Sequence, residues 1–108
     1  MTVSDAQIAF VRDLFSPLGQ VSTRKMMGGL AIYHEGTVFA LLHGSGQLYL
    51  KGAGGYGDEL EKLGATRWTY RRSPEAKDVK MPYWTFPESA LDDPEDASHL
   101  AREALARL

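Results

Sequence analysis

The sequence contains no cysteine, which excludes disulfides, thiolate nucleophiles, cysteine-ligated zinc and iron–sulfur clusters at once. No apolar stretch approaches the roughly 18 residues that a membrane-spanning helix needs. The opening residues, Met1 to Gln7, carry neither the basic cluster nor the apolar run of a secretory signal. A cytoplasmic location without a membrane partner is the expectation. Neither sign of charge dominates: 12 basic residues stand against 14 acidic ones, for a formal net charge of −2. No global field therefore draws the chain to nucleic acid, and only a local patch could.

What is present is the composition of a globular domain: 108 residues, 44% hydrophobic, 10% aromatic and 24% charged. A chain of this length hides roughly two-thirds of its unfolded surface and forms a single domain, residues 1–108. Its charge is unevenly spread. Residues 65–86 hold 5 basic and 2 acidic groups, whereas residues 87–108 hold 2 and 6.

Periodicity divides the chain into elements. Ser4 and Gln7 have the spacing of a capping box, and Ile8, Val11, Phe15 and Leu18 recur on one face, predicting a helix that Pro17 and Gly19 end. Runs rich in Val, Phe, Tyr and Leu, punctuated by Glu35-Gly36 and Gly44-Ser45-Gly46, then predict strands over about 24–33, 37–43 and 47–51. The unbroken apolar run from Val38 to Leu42 marks the middle one as central. Asp58 as cap, Leu60 and Leu63 facing inward and Gly64 at the C′ position predict a short second helix. Trp68 and Tyr70 alternate with Arg67, Thr69 and Arg71, predicting a strand with its aromatic side buried. Val79, Met81 and Tyr83, alternating with Lys80, Pro82 and Trp84, make its hairpin partner, with Pro82 at an edge or a bulge. Asp93 and Pro94 open a last helix whose Ala97, Leu100, Ala101, Ala104, Leu105 and Leu108 form one stripe. The order α-β-β-β-α-β-β-α predicts an α+β fold, a two-layer sandwich of a mainly antiparallel five-stranded sheet with helices on one face.

Several motifs keep a recognisable order. Met26-Met27-Gly28-Gly29-Leu30-Ala31-Ile32-Tyr33 is followed by Gly36, Phe39-Ala40-Leu41, Leu48-Tyr49-Leu50-Lys51, Gly64, Trp68, Tyr70 and Met81-Pro82-Tyr83-Trp84. Pro87, Glu88, Ala90-Leu91-Asp92-Asp93-Pro94-Glu95 and an Ala-rich terminal helix complete the series. In this the sequence resembles the N-terminal domain of the TfoX/Sxy family of bacterial competence regulators. The resemblance implies a secretion-chaperone-like architecture and a role in transcriptional regulation of DNA transformation, in which fuller members act with the cyclic-AMP receptor protein and carry a further helical domain. Two departures stand out: Met27 where the family usually has Phe, and a glycine cluster over 52–57 in place of a polar stretch.

That cluster, Gly52-Ala53-Gly54-Gly55-Tyr56-Gly57, satisfies G-x-G-x-x-G between a predicted strand and helix, as a phosphate-cradling loop would. The short helix and the absence of a strand-ending acidic residue about twenty positions on weigh against a dinucleotide. A loop needing positive φ angles is the simpler reading, and a nucleotide-binding enzyme is kept only as an alternative. Gly28 and Gly29 predict a bulge or a tight backbone approach that bends the first strand before Leu30. Arg67, Arg71, Arg72, Lys77 and Lys80 crowd onto one hairpin and, with Trp84 on the same face as Lys80, would combine cations with an aromatic plane. Arg24 and Lys25 would extend that patch. The histidines His34, His43 and His99 lack ligand spacing, and no nucleophile, base and orienter assemble, so neither metal, cofactor nor catalysis is expected. The expected role is a non-enzymatic regulatory module with a protein partner and possible DNA contact. Its candidate surface is Arg24, Lys25, Gly28, Gly29, Arg67, Arg71, Arg72, Lys80 and Trp84. A homodimeric protein-binding adaptor is the alternative.

Overall fold

A computed structural model describes residues 3–26 and 28–108. The chain runs through α1 (Asp5–Leu14), a 3₁₀ turn at Ser16–Leu18, and four consecutive strands: β1 (Val21–Met26), β2 (Gly29–His34), β3 (Thr37–Leu42) and β4 (Leu48–Lys51). It continues through α2 (Tyr56–Lys62), β5 (Arg67–Tyr70), β6 (Val79–Thr85), a 3₁₀ turn at Glu88–Ala90 and α3 (Pro94–Leu105). All strands join one antiparallel sheet in the order β1-β2-β3-β4-β6-β5. The α+β class and the antiparallel sheet match the sequence expectation; the described residues form six strands rather than five.

The extra strand arises where one strand was expected over 24–33. The chain reverses there, with Gly28 at φ 80° and Met26 paired directly with Gly29. Met27, one of the family departures, lies outside the described residues. Gly29 has little choice: a Cβ on it would stand 2.8 Å from the Leu42 carbonyl oxygen. The glycine pair therefore folds a hairpin, where a bend was expected. Its outer arm, β1, is an edge strand so polar and exposed that its hydrophobic pattern is faint.

The helices build the first layer. Ser4 Oγ accepts from Gln7 N at 3.2 Å and Gln7 Oε1 accepts from Ser4 N at 2.8 Å, so the expected capping box starts α1. Asp93 caps α3 through Oδ1, which accepts from the backbone of Glu95 and Asp96, with Pro94 at the first helical position. The small face of α3, Ala97, Ser98, Ala101 and Ala104, is fully buried and lets this helix close onto α1, β3 and β4. Ser98 Oγ reaches the Leu14 carbonyl at 3.5 Å. Leu108, expected in the stripe, follows the helix end and is exposed.

Cross-strand register defines the sheet face under these helices. Leu30 pairs with Leu42, Ile32 with Ala40, Ala40 with Leu50, Leu42 with Leu48, and Leu50 with Trp84; all are buried core residues. A bulge leaves Phe39 between the Ile32–Ala40 and Tyr33–Val38 pairs. Its ring meets Phe15 edge-on at 5.1 Å, and Phe15 in turn meets Phe86 at 5.7 Å. The expected bulge near Pro82 is also present, since the β5–β6 register slips between Arg67 and Thr69.

Helix α2 starts earlier than expected. Left-handed Gly55 precedes its first residue, and Asp58 lies within the first turn instead of capping it. It ends in a Schellman motif: Gly64 N donates to Glu61 O and Ala65 N to Leu60 O, each at 3.0 Å. Leu60 is buried as expected, but Leu63 is the capping residue past the last turn and is exposed.

Candidate functional site

The candidate residues do not share one surface. Strands β1 and β5 are the opposite edges of the sheet, with β2, β3, β4 and β6 between them in the pairing order. Arg24 and Lys25 belong to the β1 edge, and the expected cations of the hairpin to the β5–β6 side. Arg72 and Lys80 are exposed on that hairpin, whereas Arg71 is paired through Nε with Asp78 Oδ1.

Trp84 is not available to a ligand plane. It is 6% exposed, on the helix side of β6. Its indole lies against the backbone of Gly52 and Gly57, where an added Cβ would stand 2.7 Å and 2.2 Å from ring atoms. The indole Nε1–H donates to Glu61 Oε2 on α2 at 2.7 Å. Above the ring sits the Arg67 guanidinium, 4.7 Å from its centroid, with Nε donating to the Met81 carbonyl at 2.8 Å. The first and last glycines of G-x-G-x-x-G thus accommodate a tryptophan of the protein itself. The expected positive φ angles belong to the glycines between them, Gly54 at 55° and Gly55 at 86°.

Arg67 and Trp84 being opposite each other also inverts the expected faces of β5. Trp68 points to the side of the sheet that the helices leave open. There it stacks on Tyr49 with centroids 5.1 Å apart and planes at 22°, leans on Tyr83 at 6.4 Å, and meets His43 edge-on at 5.9 Å. Alternation reveals which residues share a face; it does not reveal which face is covered.

These rings wall a pocket of about 200 Å³ with an almost wholly apolar lining, in which Met26, Gly29, Leu41, His43, Tyr49, Trp68 and Met81 take part. Leu41 and Tyr49 are cross-strand partners, and the same row continues through Ala31 to Arg24. Lys51 stands two residues beyond Tyr49 on β4, with Nζ 6.0 Å from the Tyr83 ring centre. Burial and the nearby Tyr33 hold the Tyr83 hydroxyl above the usual phenol range.

Charge sorts by element. Not one of the 14 carboxylates falls in a strand, whereas Arg24, Lys25, Lys51, Arg67 and Lys80 all do. Sequence reasoning passed over this asymmetry, although it is readable once the strands are assigned. It also passed over Leu41, His43, Tyr49, Lys51, Trp68 and Met81 as site residues, because the aromatics were expected under the helices.

Two further polar clusters serve other ends. His43 Nδ1 lies 2.9 Å from Ser45 Oγ and accepts from Ser45 N, closing the β3–β4 turn. Tyr56 ties α2 to α3: its hydroxyl donates to the Leu100 carbonyl at 3.0 Å, and Arg107 lies over its ring at 4.6 Å while meeting Glu59 at 2.6 Å. Burial, then the Glu103 carboxylate, push its pKa up to about 12 against the opposing pull of Arg107. Among the described residues no three His, Asp or Glu side chains gather as a metal-holding set, and no helix is long and apolar enough to cross a membrane.

An antiparallel sheet with helices on one side and an aromatic pocket on the other defines an open-faced α+β sandwich. The sequence matches the TfoX N-terminal domain over residues 13–108, and the chain belongs to that family. No curated protein matches it.

Proposed function

We propose that this chain is a non-catalytic regulatory module of the competence type, which acts in the cytoplasm by holding a protein partner on the open face of its sheet. The observation that carries this reading is the uncovered aromatic pocket. An apolar recess on a sheet face that the helices leave open is a place where a partner's apolar side chain can be buried, and in this fold the helices occupy only the opposite side. The family membership supports the regulatory part of the reading. The loop with the greatest promise for cofactor chemistry is filled by Trp84, which favours a binding role over a catalytic one. Direct DNA contact is less favoured, because Arg67 is engaged with Trp84 and Arg71 with Asp78, leaving the hairpin fewer free cations than its sequence suggests.

The test is genetic. Leu41→Lys, placed in the pocket floor, should reduce competence-gene transcripts and transformation frequency toward the level of a deletion strain, with thermal unfolding confirming a folded domain. Undiminished transcripts in that strain would refute the reading. A loss produced instead by Arg72→Ala with Lys80→Ala would move the working surface to the hairpin and revive DNA contact.

A further inference from the structure

We propose that the partner segment carries one bulky apolar side chain flanked by acidic residues. The apolar side chain enters the pocket between Leu41, Tyr49, Trp68 and Met81, and its acidic neighbours meet Arg24 and Lys51. This deepens the docking reading above and rests on it.

Size, wall chemistry and charge each narrow the occupant. A pocket of about 200 Å³ is smaller than the roughly 300 Å³ at which small-molecule sites begin, and its apolar lining offers little to a polar cofactor. One anchoring side chain suits it better. Tyr49 and Trp68 stack on each other, so each has given one ring face to its neighbour. Fewer ring faces therefore remain on which successive bases of a single-stranded nucleic acid could lie.

The charge argument rests on position. Arg24 lies in the cross-strand row that passes through Ala31 to Leu41 and Tyr49, and Lys51 is about 7 Å along the strand from Tyr49. Neither has a carboxylate within ion-pair distance among the described residues. The acidic residues all lie in the helices, turns and loops. A molecule of net charge −2 thus turns a side free of strand carboxylates toward its partner. An acidic segment is attracted there, and a basic one is drawn to the helical layer instead.

The experiment uses the full chain and four labelled peptides of equal length: a central Phe flanked by Glu, by Gln or by Lys, and a central Ala flanked by Glu. Fluorescence anisotropy at low salt should show the Glu-flanked Phe peptide binding at least tenfold more tightly than both the Ala and the Lys-flanked peptides. Arg24→Glu combined with Lys51→Glu, both on the sheet surface and checked by a melting curve, should weaken that peptide at least fivefold and leave the Gln-flanked one nearly unchanged. Equal affinity for Glu and Gln flanks, with both lost in Leu41→Lys, would overturn the acidic partner and leave the docking reading intact. Failure of every peptide would overturn both. An oligothymidylate that binds the same face more tightly than any peptide would replace the protein partner with a nucleic acid.

Discussion

Trp84 and the two glycines beneath it show how a residue motif can suggest one chemistry and serve another. Gly52 and Gly57 are needed because the indole approaches their backbone more closely than any side chain allows. Gly57→Ala should therefore force the ring off its seat and destabilise the domain by about 1–3 kcal/mol, as overpacking does, measured as a shift in urea midpoint. The glycines themselves are legible in the sequence, but their reason is not, since the approaching indole lies 27 positions beyond Gly57 and 32 beyond Gly52. Tyr56 supplies a second residue-scale expectation. Its folded pKa of about 12 exceeds the ordinary value of 10.0, so above that ordinary value the unfolded chain loses the phenolic proton while the folded one keeps it. Its stabilising contribution is complete below pH 10 and declines as the pH climbs toward 12. Tyr56→Phe should flatten the fall in melting temperature between about pH 10 and 12, and lower the neutral-pH stability by about 1 kcal/mol through the lost bond to Leu100.

At the level of elements, the helices with side-chain caps were read correctly at their starts because a cap is a local device: Ser4 with Gln7 and Asp93 with Pro94 need nothing beyond their own turn. Helix α2 was misplaced because left-handed Gly55, not a side chain, begins it. Strand β1 escaped notice for a different reason. An edge strand is paired on one side only, so Ser22, Thr23, Arg24 and Lys25 can stay polar without leaving an apolar rhythm. The charges on that edge discourage another strand from adding to it. Arg24→Val with Lys25→Thr should accordingly raise self-association, measured by light scattering across a concentration series. Helix α3 faces the opposite constraint. Its Ala101 is fully buried in the contact that brings helix and sheet together, so Ala101→Leu should cost about 1–3 kcal/mol in chemical denaturation, where the same change on the exposed side of the helix would be almost neutral.

For the whole molecule, class and layer arrangement were legible from periodicity, whereas the identity of the open face was not. The pattern around Trp68 is equally consistent with aromatics inside and cations outside or with the reverse. Only the pairing of Arg67 with Trp84, whose indole is already committed to α2, decides it. The expected site fails to assemble partly for the same reason: Trp84 turns toward the helices, and Trp68, expected beneath them, walls the open pocket instead. The two tryptophans of the chain consequently sit on opposite sides of one sheet, one against glycine backbone and the other beside an open pocket. The protein therefore carries its own pair of optical reporters: iodide should quench emission from the indole in the cleft while sparing the one beneath the helical layer. A visitor to that cleft should restore the quenched light, so occupancy can be followed without attaching a dye.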